Sequence, residues 1–222
     1  TETELQGLLP HHDSASSLLD ALEARLRDAG KTAAGFKSII AYRTGLDLTR
    51  PSDAELERSF QRARTAGGKL TEKHLLDAAL WRTLHVAAEL NLPIQFHTGY
   101  GDPDLDLRLA NPLHLRSVIE DLQDLKIVLL HCYPFVREAG YLASVYRGVY
   151  LDLGLTIPYT SVAAMRTSLE EALHLSPISK LLISTDAQRT PELYWLAARW
   201  ARRTISAVMR QTVQNGDLNS AE

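Results

Sequence analysis

Residues 126–155, KIVLLHCYPFVREAGYLASVYRGVYLDLGL, carry the pattern that decides the fold. An apolar run at 126–130 leads into a helical span at 134–146, and a second β-rich run follows at 148–155. A run without polar alternation is what a strand buried on both faces presents, and parallel sheets bury both faces. The same unit recurs on either side of this stretch. Upstream, the run at 92–96 ends in His97-Thr98-Gly99, and a helix starts near Asn111-Pro112, where proline suits a first turn. Downstream, a helix at 161–173 precedes the run at 180–185, which ends in Asp186, and a long helix follows from Pro191 toward Gln214. The first run, GFKSIIAY at 35–42, follows an amphipathic helix at 14–29 that places Leu18, Leu19, Leu22 and Leu26 on one face and stops at Gly30. Two further helices are predicted, one from Ser52 to the Gly67-Gly68 break and one at 75–90. Five strands alternating with helices predict an α/β fold around a parallel sheet. No linker or change of composition divides the chain, which predicts one domain over residues 1–222.

Composition narrows the function classes. The chain is 45% hydrophobic and 23% charged, and its 24 Lys+Arg against 27 Asp+Glu give a formal charge of −3, which argues against a nucleic-acid partner held on a basic face. No window approaches the roughly 18 consecutive apolar residues of a membrane-spanning helix, so no membrane partner is expected. Thr1-Glu2-Thr3-Glu4 does not look like a signal peptide. The lone cysteine, Cys132, has no intramolecular disulfide partner, which fits a reducing compartment and a cytoplasmic location.

Polar residues at the carboxyl ends of buried strands point to a site, because those ends converge on one face of a parallel α/β fold. Lys37 lies in the first run, His97 ends the second, His131 ends the third, Asp152 interrupts the fourth and Asp186 ends the fifth. Two imidazoles and a carboxylate brought together suit a divalent metal such as zinc. Each has a plainer reading: a hydrogen-bonded structural histidine, a capping aspartate at Asp186, a strand-end carboxylate at Asp152 satisfied by backbone N–H groups, and a solvent-extended Lys37. Other motifs fail. Asp102, Asp104 and Asp106 have calcium-loop spacing, but Leu107 stands where that loop needs glycine and Leu113 where it needs glutamate. Adjacent His11 and His12 would point to opposite faces of a strand. Cys132 is read as a small buried side chain, and Arg199, Arg202 and Arg203 as a solvated face.

The segments PIQFHTGYGDPDLDLRLANPLHL (93–115), IVLLHCYPF (127–135), GVYLDLGL (148–155) and LLISTDAQRTPELYWLAARW (181–200) resemble the amidohydrolase-2 branch of the amidohydrolase superfamily. The likeness is particularly to the amidohydrolase domain that some proteins carry fused to a glutamine synthetase-like domain, and it runs from about Gly35 to Met209. The resemblance implies a (β/α)8 TIM barrel with a divalent metal, usually zinc, at the carboxyl ends of its strands. It places His97, His131 and Asp186 at the family's fifth-, sixth- and eighth-strand metal-site positions. Lys37 falls at the fourth-strand lysine that is carboxylated and bridges two metals in binuclear members. The family's first-strand His-x-His pair has no counterpart, so the chain is expected to cover about strands four to eight and to be N-terminally incomplete, with a homo-oligomer or a complementing chain segment as candidate partners.

The implied function is a metal-dependent hydrolase that cleaves an amide-type C–N bond of a small carboxylate-bearing substrate, such as a γ-glutamyl amide. Metal binding lowers the pKa of water from about 15.7 toward about 7. Asp186 is the expected proton acceptor and carrier, His131 orients or polarises, and His97 binds metal. Arg43 and Arg108, each beyond a strand end, are candidates for the substrate carboxylate, and Tyr100 and Tyr133 for the pocket wall. Two other readings stand beside this one: a non-oxidative decarboxylase of the same branch, and a non-catalytic assembly or regulatory domain.

Overall fold

The computed structural model describes residues 1–219. Five parallel strands form one sheet in the order β1-β2-β3-β4-β5, with β1 at Phe36–Ser38, β2 at Ile94–His97, β3 at Ile127–Leu130, β4 at Val149–Asp152 and β5 at Leu181–Leu182. Crossovers between parallel strands are right-handed, so strands that advance in one direction place all their connecting helices on one face. This is the winding of a barrel wall, and the sheet is an arc of such a wall.

Helix boundaries follow local chemistry. Helix α1 spans Glu2–Leu8, and α2 spans Ala15–Ala29 with the Ser14 hydroxyl accepting from the Ser17 amide. Helix α3, Asp53–Ala66, begins at a reciprocal capping box between Ser52 and Glu55. Helix α4 runs over Lys73–Glu89. Asn111 and Pro112 start a 3-10 turn, Pro112–Leu115, that leads into the short α5, Arg116–Asp121. Helices α6 (Val136–Val145), α7 (Thr156–Tyr159) and α8 (Val162–Leu173) follow, and α9, Pro191–Asn215, ends on Gly216 in a left-handed conformation. None of the helices among the described residues is long and apolar enough to cross a membrane.

The core lies between helices and sheet. Register aligns Phe36, Ile94, Ile127 and Val149 across four strands, and Ser38, Phe96, Leu129, Leu151 and Leu181 across five. Nearly all of these are buried, and they pack with Leu22, Leu75, Leu84, Leu142 and Leu169 of the helices. Alternate side chains point the other way. That second face presents Lys37, Gln95, Val128 and Tyr150 in one row, with Lys37 and Gln95 exposed.

Three strands keep half or less of the run the sequence pattern predicts, among them β4, with four residues of the eight at 148–155. The apolar run at 35–42 gives only three strand residues before a 3-10 turn at Ile40–Tyr42. The buried carboxylate of Glu2 accepts from the Ser38 hydroxyl at 2.6 Å and from the Ile39 amide at 3.1 Å, and the Ser38 hydroxyl accepts from the Ile40 amide at 3.2 Å. Those two amides are satisfied by side chains instead of a neighbouring strand, so the ladder ends there. Strand β5, at the sheet edge, keeps two residues of the predicted six. Helices α1 and α7 escape the sequence reading because seven and four residues carry too little periodicity.

Replacing Glu2 with Ala strips an acceptor from two donors near the end of β1. It is expected to cost about 1–3 kcal/mol, read as a lower midpoint in urea unfolding without loss of far-UV helical signal.

Candidate functional site

The carboxyl edge of the sheet gathers the polar residues. His97 is the last residue of β2, His131 follows β3, and Asp186 lies beyond β5. The chain turns abruptly at these points: His131, Cys132, Leu155, Asp186 and Arg189 all have positive φ, between 46° and 70°, and Gly99 has φ 72°. Five non-glycine residues in the left-handed region on one rim is a concentration of backbone strain, and such strain persists where surrounding structure holds it for a purpose.

The imidazoles of His97 and His131 meet edge to face with ring centroids 4.6 Å apart, and the Tyr42 ring lies 4.4 Å from His97 on another side. His131 Nδ1 faces the Gly154 carbonyl at 3.2 Å, which assigns the proton to Nδ1 and leaves a lone pair on Nε2. That Nε2 is buried and has no hydrogen-bond partner. It lies 3.8 Å from Asp186 Oδ2. His97 Nε2 faces the Tyr100 carbonyl at 3.2 Å, so there the proton is on Nε2. Burial, and then the charges of His131 and Lys37, pull His97 down to about 3. Burial likewise pulls His131 down to about 4, with Lys37 adding to the effect. Both rings are therefore neutral near pH 7 and can donate electron pairs.

A cavity of 910 Å3 opens over this edge, lined among others by Lys37, Tyr42, Arg43, His97, Tyr100 and Asp186. A second cavity of 500 Å3 runs along the inner sheet face past Gln95, Leu130, His131 and Asp152, and shares Lys37 and Asp186 with the first. The Arg43 Nε is buried without a partner. The Tyr100 hydroxyl donates to the Leu155 carbonyl at 3.1 Å, and burial pushes its phenol up to about 12.

The structure thus brings Lys37, Arg43, His97, Tyr100, His131 and Asp186 to one region. It does not bring Arg108, whose side chain is 88% exposed and ion-paired with Asp106 at 2.6 Å. The expectation for Arg108 is corrected: Asp106 caps the 3-10 turn Leu107–Leu109 and holds the guanidinium beside itself. Tyr133 packs its ring on Tyr100 at 5.8 Å and stays partly exposed. Asp152 Oδ2 is used structurally, accepting from the Gly154 amide at 2.9 Å and the Ser184 hydroxyl at 3.0 Å, while burial raises its pKa to about 6. Cys132 is fully buried in the core, its thiol pushed up to about 12. Tyr42 and Arg189 were not signalled by the sequence. Tyr42 reads there as the end of an apolar run and Arg189 as part of a loop, and only the folded chain sets both against the cavity.

The family model of the amidohydrolases matches residues 12–213. The chain belongs to the amidohydrolase family, in its amidohydrolase-2 branch. It is 44% identical to Protein fluG of Emericella nidulans over 202 aligned positions, which cover 85% of this chain and 23% of fluG. Among solved structures it is similar to a protein of Lactobacillus casei ATCC 334 whose name provisionally places it with the metal-dependent hydrolases. That match has a TM-score of 0.88 at 37% identity and covers 93% of this chain and 56% of the other. Uronate isomerase of Thermotoga maritima shares the fold, with a TM-score of 0.70 at 17% identity over 93% of this chain and 49% of its own. The chain spans about half of these structural relatives and a quarter of fluG.

Within this amidohydrolase rim, Gly99 makes the closest approach of a glycine to another stretch of backbone. A Cβ there would overlap the Tyr133 carbonyl oxygen, and its backbone is left-handed. Gly99→Ala is expected to destabilise by at least about 2 kcal/mol, measured by denaturant unfolding, and to disturb the near-UV signal of the Tyr100–Tyr133 pair.

Proposed function

We propose that the protein is a metal-dependent amidohydrolase that cleaves an amide-type C–N bond of a small carboxylate-bearing substrate. The observation that carries this reading is the buried, unpartnered Nε2 of His131 aimed toward Asp186 Oδ2 at 3.8 Å. A buried imidazole nitrogen with a free lone pair beside a carboxylate is a nitrogen–oxygen donor set that zinc accepts. His97 stands against the same ring and is the third donor proposed. As the side chains stand, no three His, Cys, Asp or Glu among the described residues are arranged to hold an ion. His97 Nε2 is turned to the Tyr100 carbonyl, and turning that ring away from the carbonyl would free the nitrogen for an ion. Lys37, which lines both cavities, is proposed as the counterpart of the bridging lysine of binuclear members.

A divalent metal, when bound, polarises the scissile carbonyl and makes water more acidic. The chain's own residues do the rest. Asp186 Oδ2 accepts the proton as the water oxygen bonds to the carbonyl carbon, and returns it to the nitrogen as the C–N bond breaks, leaving a carboxylic acid and a free amine. The Gly154 carbonyl holds His131 in one tautomer and orientation. Arg43 receives the substrate carboxylate through paired N–H groups, and Tyr100 walls the cavity.

Metal content after purification without added metal, read by elemental analysis, tests this directly. The parent protein is expected to retain a divalent ion, and His131→Ala and Asp186→Asn to lower its occupancy about tenfold or more while keeping the same circular dichroism. Release of amine or ammonia from γ-glutamyl amides is expected to fall about 10²–10⁴-fold in Asp186→Asn. Unchanged metal content in both variants overturns the assignment, and release of carbon dioxide instead of an amine replaces it with decarboxylation.

A further inference from the structure

Arg43 follows β1 and Arg189 follows β5, the two opposite edges of the sheet, yet both line the 910 Å3 cavity. Neither guanidinium has a hydrogen bond or an ion pair with any described residue. Lys69, a third cation of this cavity, is neutralised locally by its ion pair with Asp104. Leaving the buried Nε of Arg43 without an acceptor is unfavourable, and an anion from outside the chain supplies one. Arg189 is held in the cavity wall at φ 66°, three residues after Asp186, itself at φ 46°; a non-glycine residue kept there is held by its surroundings.

Of the carboxylates in the cavity, Asp104 is ion-paired with Lys69 and also feels the charge of Arg43 without bonding it, and Asp186 faces His131. Asp102 makes no ion pair, and its amide donates to the Tyr42 hydroxyl at 3.3 Å. The planar forks of two arginines match carboxylates bidentately, and the cavity volume lies within the range of small-molecule sites.

From this arrangement we infer that the substrate is a dicarboxylate, one acid group held by Arg43 and the other by Arg189 from the facing wall. The inference rests on the proposed function only in taking this cavity as the substrate site; the requirement for two acid groups is separate from the metal and from the bond cleaved.

The test is calorimetric titration of the metal-stripped protein with succinate, glutarate and adipate, and with valerate as the monocarboxylate of the same carbon count as glutarate. At least one dicarboxylate is expected to bind about tenfold or more tightly than valerate. Arg189→Gln is expected to bring that dicarboxylate down to the level of valerate while changing valerate itself by no more than about twofold to threefold. Arg43→Gln is likewise expected to remove the preference for that dicarboxylate, and Arg189→Gln, at an exposed position, carries the test if the Arg43 variant fails to fold. Equal binding of mono- and dicarboxylates, full selectivity in Arg189→Gln, or no dicarboxylate binding at millimolar concentration each overturn the inference. A protein that selects dicarboxylates but retains no metal overturns the hydrolase reading alone, and one that retains metal without this selectivity overturns only the present inference.

Discussion

The alignment of parallel strands governs what this molecule can do. Phe36, Ile94, Ile127 and Val149 stand level across four strands. A slip of one residue would turn every strand side chain to the opposite face, sending His97 and Asp152 in among the helices. The apolar rows at Phe96, Leu129 and Leu151, all completely buried, resist such a slip because each would lose its place in the core. Register is held by the greasy side of the sheet and felt on the polar side.

The polar side is electrostatically consistent. Desolvation and the nearby charge of Lys37 hold both histidines neutral, while the Gly154 carbonyl selects the tautomer of His131 that presents a lone pair inward. Cations reach the same space from β1 and from the segment after β5. Neutral donors, one facing carboxylate and unpaired guanidinium groups share this one environment.

Much of this was legible in the chain itself. The apolar runs gave five strands at nearly their true positions because burial on both faces leaves no other composition for them, and the capping residues Ser14, Ser52 and Ser161 marked helix starts because their hydroxyls satisfy amides that a helix leaves open. The early end of β1 was hidden, since the acceptor that stops it comes from Glu2, 36 and 37 residues away from its partners. Tyr42 and Arg189 were hidden for the same reason: their value lies in what they face, which is distant in sequence.

Residue order alone determined the alternation of strands and helices, the family likeness, and the types of side chain available at each strand end, since these follow from local periodicity and motif. Only the tertiary structure decided which of those side chains meet. Arg43 and Arg108 look alike as basic residues beyond strands, but one turns into the cavity with its Nε unmatched, and the other is drawn to solvent by Asp106 two residues away. The directions of His131, Asp186 and Arg189 are set by left-handed backbone turns, conformations that packing against distant segments imposes and that a string of L-amino acids does not favour by itself.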